Sequence, residues 1–249
     1  MSKGKTVKGF RAIEEILNAG GSIKSLTVRG KPSSRERELI ERARQARVPV
    51  HQESGGHNSS RSHGPHSAQV LEAQVDGFSY ADFDAIVSGC RQRRADGGKA
   101  TVVLLDGITD PHNLGAIIRT AAFMGVAALV IPQDRAVQVN ETVMRIASGG
   151  IEHVPVCQVA NVAQAIEKLQ ESGFWAVGLA EKGGTVLSER EPAPLVALVI
   201  GSEEKGLRPL VMDRCDELLR LNAAGNFTTL NASVAAALAM AWSVGTLGR

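Results

Sequence analysis

The chain is poor in cysteine, with three among 249 residues. Cys90, Cys157 and Cys215 lie far apart, and their odd number and wide spacing argue against a disulfide framework and against a paired-cysteine metal site. We expect each of them to be a small buried residue in a protein of the reducing cytosol.

Long apolar runs are also absent. The first ten residues, MSKGKTVKGF, lack the apolar core of a signal peptide, and no stretch reaches the roughly 18 apolar residues of a membrane span. The sequence therefore predicts a cytoplasmic protein with no membrane partner. Its formal net charge is only +2, so a nucleic-acid surface would have to come from local clusters of lysine and arginine.

Common nucleotide and metal motifs are missing as well. No GxGxxG occurs, and the turn GSEEKG at 201–206 continues into Leu207 and Arg208 instead of the Lys-Ser/Thr of a phosphate loop. ATP and NAD binding thus lose their main support. Without HExxH or Cys/His ligand spacing, we expect no metal, and the His-rich stretch near residues 57–66 is interpreted as a polar loop.

Two domains and a connector are predicted from the order of the segments. Residues 1–80 alternate helix and strand signals and predict a small α/β domain. Residues 81–100, rich in Arg, Gly and Lys, predict a linker that is either a basic RNA contact or simply solvated. From 101 to 249, apolar strands alternate with helices, which predicts an α/β fold with a parallel sheet covered on both faces.

Ligands of such sheets bind at the carboxyl ends of the strands, so we expect functional residues in the turns that follow the strands. In DPHNLGAIIRTAAFMGV, Asn113 occupies a possible helix N-cap position, and Arg119 is the only charged residue between Leu114 and Ile131. A buried guanidinium without a partner costs several kcal/mol, which predicts a nearby anion. Glu203, in the turn after a later apolar strand, is the predicted partner, although it could also be a solvated loop acid.

A third turn leads into a helix of small residues, LNASVAAALAMAW. Such a helix is more often a packing element than a binding site. Packing does not explain the polar side chains of Thr229 and Asn231 at its entrance, and these two residues are therefore further site candidates.

Together the three segments resemble the three motifs of the SpoU (TrmH) group of RNA 2′-O-ribose methyltransferases in the SPOUT superfamily. DPHNLGAIIRTAAFMGV is similar to the first motif, VALVIGSEEKGL to the second and LNAAGNFTTLNASVAAALA to the third, in the same order. ASGGIEHVPV resembles a stretch between the first two. The front of the chain, from VKGFRAIEEIL, resembles the ribosomal-protein-like RNA-binding domain of the 23S rRNA guanosine methyltransferase (RlmB-like) subgroup.

The resemblance implies a trefoil knot in the carboxyl-terminal part, a homodimer, and S-adenosyl-L-methionine as cofactor. It implies 2′-O-ribose methylation of a guanosine in 23S rRNA. A tRNA or drug-resistance rRNA methyltransferase, or a non-catalytic RNA-binding protein, remain the alternatives. The implied site residues are Asn113, Arg119, Glu203, Thr229 and Asn231 for catalysis, and Ile200, Gly201, Leu221, Ala223 and Leu230 for the cofactor.

The third motif departs from the family pattern. The family usually has Ser where this chain has Thr229, and Pro-Met where it has Asn222 and Ala223. Thr keeps the hydroxyl and adds a methyl group, whereas loss of Pro and Met removes a rigid turn and apolar contact area. We therefore expect an effect on cofactor affinity or on substrate choice.

Overall fold

A computed structural model describes residues 5–18, 23–53, 71–75, 78–181, 184–225 and 229–245. The chain divides into two compact units, Met1–Ser79 and Tyr80–Arg249. The predicted His-rich loop, with His57, His63 and His66, lies outside the described residues. Within these ranges, no helix is long and apolar enough to cross a membrane.

The first unit is a four-stranded mixed sheet in the order β1-β4-β2-β3, with two helices. Its elements are β1 (Lys5–Lys8), α1 (Phe10–Asn18), β2 (Ile23–Arg29), α2 (Ser34–Gln45), β3 (Val50–Glu53) and β4 (Leu71–Val75). Ile13, Leu26, Leu39 and Leu71 are buried in its core. The alternation of helix and strand that the sequence indicates is present.

The second unit is a seven-stranded sheet in the order β7-β6-β5-β10-β8-β11-β9, and every neighbouring pair is parallel. The predicted parallel α/β sheet is thus confirmed. Its elements are α3 (Phe83–Ala95), β5 (Ala100–Asp106), α4 (Pro111–Met124), β6 (Ala128–Pro132), α5 (Glu141–Ala147), β7 (Val156–Val159), α6 (Val162–Glu171), β8 (Trp175–Leu179), β9 (Thr185–Val186), β10 (Leu195–Gly201), α7 (Pro209–Arg214), β11 (Glu217–Arg220) and α8 (Ala232–Val244).

The segment at 81–100 differs from the expected linker because it contains helix α3. Asp82 caps the first turn of this helix, and Cys90 is buried in the core of the second unit. Arg93 and Arg94 lie in its last turn, where positive charge is favourable beside the carbonyl end of a helix. The basic residues of this segment are therefore the exposed face of a packed helix.

Three turns leave the sheet at the same edge. Strands β5 and β10 are neighbours, and Asp106 at the end of β5 lies in register with Gly201 at the end of β10. On the other side of β10, Leu179 at the end of β8 pairs with both Ile200 and Leu219. The ends of β10 and β11 therefore flank β8, roughly 10 Å apart at the usual strand spacing.

Gly115 of α4 provides a test of how closely this helix packs on α5. A Cβ atom on Gly115 would lie 2.7 Å from Ile146 Cβ and 2.9 Å from the Val143 carbonyl oxygen. We expect Gly115→Ala to lower the free energy of unfolding by about 1–3 kcal/mol through overpacking. Urea denaturation measures this change.

Gly89 supplies the matched control, since it also lies inside a helix and a Cβ there would meet nothing within 4 Å. Gly89→Ala should raise the free energy of unfolding by about 0.5–1 kcal/mol through helix propensity alone. Equal gains for the two variants would contradict the packing described for α4 and α5.

Candidate active site

Glu203 is the centre of a hydrogen-bond cluster at the shared edge of the sheet. Its Oε1 accepts hydrogen bonds from Asn113 Nδ2 at 2.7 Å, from Asn231 Nδ2 at 2.6 Å and from the Ala232 backbone N–H at 3.1 Å. The last donor belongs to the first turn of α8, where the helix dipole favours negative charge. No described residue bonds to Glu203 Oε2, which leaves that oxygen available as an acceptor.

Asn113 acts differently from the N-cap that its position suggests. The cap of α4 is Asp110, whose side chain accepts from the His112 N–H at 2.8 Å, and Pro111 occupies the first turn. The cap interpretation was wrong because Pro111 fits the start of the helix, so that the cap lies three residues earlier than a cap at 113. Asn113 is therefore free for the site: it is buried, it donates to Glu203, and its Oδ1 accepts from Asn231 Nδ2 at 2.9 Å.

The side-chain amide of Asn231 both caps α8 and bonds to the cluster around Glu203. Its Oδ1 caps α8 by accepting from the Ser233 N–H at 3.0 Å, while its Nδ2 donates to Glu203 and Asn113. The sequence prediction that a helix starts here is confirmed. Because the cap fixes the orientation of the amide, the donor side points at the carboxylate without a further constraint.

Arg119 does not pair with Glu203, so the predicted ion pair is wrong. Arg119 is exposed, and its guanidinium makes no hydrogen bond or ion pair with any described residue. The expectation assumed burial in an apolar helix, whereas α4 presents this position to solvent. Gly150 packs against the Arg119 backbone, since a Cβ on Gly150 would lie 3.1 Å from Arg119 Cα. The backbone of Arg119 is thus held while its side chain remains unpaired.

The predicted cofactor residues lie in or just after β10 and β11, except Leu230, which directly precedes Asn231, the cap of α8. Ile200 is buried inside the sheet, whereas Gly201 and Leu221 are half-buried at the strand ends. Ala223 and Leu230 are exposed, and Leu230 keeps 49% of its surface in solvent. Ile200 therefore belongs to the core of the sheet, whereas Gly201 and Leu221 lie where the two strands on either side of β8 end. Thr229, beside Leu230, is also exposed.

Sequence reasoning missed Asp106 and Arg208. Asp106 ends β5, its side chain is fully buried, and its two carboxylate oxygens accept two hydrogen bonds from Arg208, which lies 102 residues later and also forms an ion pair with it. The available signal was a single carboxylate at the end of a strand whose other residues, except Thr101, are apolar. A charge in such a position needs a partner, but the sequence did not indicate which cation supplies it.

Burial makes the three thiols weak nucleophiles. It raises the pKa of Cys157 to about 11, with the charge of Asp82 adding to the effect. It raises the pKa of Cys215 to about 12, with Asp216 and Asp106 adding. The pKa of Cys90 is raised by the same cause, with Arg93 opposing it. Since the thiolate is the reactive form, the site offers no cysteine nucleophile at neutral pH.

Comparison with known sequences assigns this arrangement to a family. The sequence model of the SpoU rRNA Methylase family matches residues 100–241, which include every residue of the cluster around Glu203. The chain belongs to this family. Membership places it among the RNA methyltransferases, and the resemblance of the three motifs is confirmed at that level.

Relatives match along nearly the whole chain. A protein of Staphylococcus aureus named as a TrmH family tRNA/rRNA methyltransferase is 35% identical over 235 residues, covering 94% of this chain and 93% of its own. The SpoU methyltransferase AviRb of Streptomyces viridochromogenes, solved with the cofactor AdoMet, superposes with a TM-score of 0.71 at 24% identity, covering 97% and 89%. The crystal structure of an RNA 2′-O ribose methyltransferase gives 0.63 at 19%, covering 98% and 88%. The two structural matches show the shared fold.

A double-mutant cycle tests which group holds Glu203. Glu203→Ala and Asn113→Ala remove two sides of one hydrogen bond, so their effects on the free energy of unfolding should be coupled by about 0.5–3 kcal/mol. Arg119→Ala and Glu203→Ala share no contact and should add within about 0.5 kcal/mol. Urea denaturation of the single and double variants gives both terms. Coupling between Arg119 and Glu203, together with additivity between Asn113 and Glu203, would instead support an ion pair between Arg119 and Glu203.

Proposed function

We propose that this protein is a cytoplasmic S-adenosyl-L-methionine-dependent enzyme that methylates the ribose 2′-hydroxyl of a guanosine in 23S rRNA. The observation that carries the proposal is the junction of three separate segments at Glu203, with Asn113, Glu203 and Asn231 held by direct hydrogen bonds. These segments are the ones that resemble the three motifs. Arg119, whose guanidinium bonds to no described residue, lies on the same helix as Asn113.

The edge beyond β8 fits S-adenosyl-L-methionine. Crevices outside the carboxyl ends of parallel strands are the usual ligand sites of open α/β sheets. Gly201 ends β10 and Leu221 directly follows β11, and with Ala223 and Leu230 they offer small or apolar residues that suit the adenine ring and the methionine moiety of the cofactor. Gly201 cannot carry a side chain, because its Cβ would lie 2.2 Å from the Gly206 carbonyl carbon.

Residues of the chain orient the ribose 2′-hydroxyl that accepts the methyl group and stabilise negative charge on the substrate. When bound, S-adenosyl-L-methionine supplies the methyl group from its sulfonium. Arg119 binds the ribose or its phosphate through its planar guanidinium, which offers paired donors to oxygen atoms. Glu203 Oε2 accepts a hydrogen bond from the substrate, and the Thr229 hydroxyl adds a polar group at the entrance. Positioning of this kind can supply much of the rate of a displacement.

Substrate recognition falls to basic surfaces outside the cluster. The first unit resembles an RNA-binding domain, and exposed basic residues, Arg91, Arg93, Arg94 and Lys99, lie on and just after α3. Such residues grip phosphates, while a nucleotide of a structured RNA must leave its stack to reach the site. This combination supports ribosomal RNA as the substrate. A tRNA or drug-resistance rRNA substrate is the second candidate, favoured by the name of the Staphylococcus aureus relative.

The proposal includes a homodimer and a trefoil knot. Support for the dimer comes from exposed large apolar side chains on two helices that pack together, Phe123 on α4 and Val234 and Leu238 on α8. Apolar surface of this kind marks interaction sites. Support for the knot comes from the resemblance to SPOUT enzymes and from a chain that returns past β8 to form β11 after completing β10. Knots are otherwise almost absent from proteins.

Transfer of labelled methyl groups tests the proposed reaction. The protein is incubated with labelled S-adenosyl-L-methionine and, separately, with unmodified 23S rRNA, 16S rRNA and tRNA, followed by nucleoside analysis. We expect labelled 2′-O-methylguanosine from 23S rRNA. Arg119→Ala should abolish it, and Arg119→Lys should lose most activity because the ammonium lacks the planar fork.

Arg214→Lys is the matched control, since Arg214 is a half-exposed arginine paired with Glu167 away from the cluster. It should keep wild-type turnover. Label in tRNA alone would retain the chemistry and replace the substrate. Absence of label from all three RNAs, with the cofactor still bound, would favour a non-catalytic RNA-binding protein.

A further inference from the structure

We propose that Asp106 and Arg208 are positioning residues that hold in place Glu203 and Gly201, which lie in and beside the turn that borders the proposed cofactor site. They form a clamp, meaning the Asp106 carboxylate with the Arg208 backbone N–H and guanidinium. Neither residue touches the cluster around Glu203 in the hydrogen bonds described above. The inference rests on the proposed function, because it concerns the loop that borders the cofactor.

The clamp satisfies a fully buried carboxylate. Asp106 Oδ2 accepts from the Arg208 backbone N–H at 2.8 Å, and Oδ1 accepts from Nε at 2.7 Å. The ion pair between Nη2 and Oδ1 measures 2.6 Å. The Asp106 side chain has no exposed surface, whereas 48% of the Arg208 side chain is exposed. Both oxygens are thus compensated by one residue, and removal of Arg208 would leave a buried charge unpaired.

The loop between the clamp and β10 is short and internally closed. Ser202 and Gly206 exchange two backbone hydrogen bonds, of 3.1 and 2.8 Å, and the backbone of Gly201 lies against Gly206. Its first end is fixed because Gly201 belongs to β10, in register with Asp106. Its second end is fixed by Arg208. Because this short loop is closed by its own backbone bonds and anchored at both ends, the clamp limits the positions that Glu203 can take.

The effect of the clamp reaches the site through Glu203. Its Oε1 joins the loop to Asn113 of α4 and to Asn231 and Ala232 at the start of α8. If the end of the loop at Arg208 is released, both Glu203 and Gly201 lose their fixed position beside the proposed cofactor site. Displacements of about 1 Å far from the reacting atoms can cost up to about a hundredfold in rate. A purely structural role would lower stability and leave ligand affinity unchanged.

Arg208→Gln is the principal test, with Asp106→Asn as a second variant and Arg208→Lys as the conservative one. Two readouts are measured: hydrogen exchange of the backbone amides of residues 202–207, and the Kd for S-adenosyl-L-methionine by calorimetry. We expect faster exchange confined to this loop and a Kd raised about tenfold. Arg208→Lys should retain part of the affinity, since it keeps the charge and loses the fork.

Arg190→Gln is the matched control, because Arg190 is a half-exposed arginine whose Nε pairs with Glu217 at 2.6 Å, away from Glu203. It should change neither readout. Unchanged loop exchange in Arg208→Gln, exchange that rises evenly over the whole second unit, or an unchanged Kd would each overturn the positioning role. Failure of the wild type to bind S-adenosyl-L-methionine would instead overturn the proposed function, and the exchange measurement would then judge the clamp alone.

Discussion

One carboxylate oxygen, Glu203 Oε1, joins three segments that are far apart in the sequence. Its donors come from Asn113, 90 residues earlier, and from Asn231 and Ala232, 28 and 29 residues later. Two neutral amides and a helix N-terminus suit a carboxylate that must keep its charge at a partly exposed edge, because each donor stabilises the anion without a competing cation. The other oxygen, Oε2, and the guanidinium of Arg119 bond to none of the residues that the structure describes.

The parallel sheet places this junction. Parallel strands send all their carboxyl ends to one edge, so the turns after β5, β8, β10 and β11 gather there regardless of their separation in the chain. The turn after β10 is joined to the end of β5 through Arg208 and Asp106, and to α4 and α8 through Glu203. Burial of polar groups beside an apolar sheet costs free energy of folding. This cost is limited here because every buried side-chain polar atom among the described residues has a hydrogen-bond partner.

Sequence patterns predicted the sheet because apolar strands between helices have few other packing solutions, as β5 and β10 illustrate. They predicted α8 from its run of small residues, whereas the cap that Asn231 forms on this helix is visible only in the structure. They failed for Arg119, since composition does not reveal which side of a helix faces solvent. They failed for α3, whose Arg- and Gly-rich end reads as a linker although its Cys90 belongs to the core. The partner of Asp106 could not be predicted, because only the folded sheet brings residues 102 positions apart together.

A crystal structure of the wild-type protein with S-adenosyl-L-methionine tests the central claim most directly. The account predicts the cofactor beyond the end of β8, between the Gly201 turn and the segment from Leu221 to Leu230. It also predicts that the bonds from Asn113, Asn231 and Ala232 to Glu203 persist. Cofactor bound elsewhere, or a Glu203 that leaves these donors when the cofactor binds, would contradict the account.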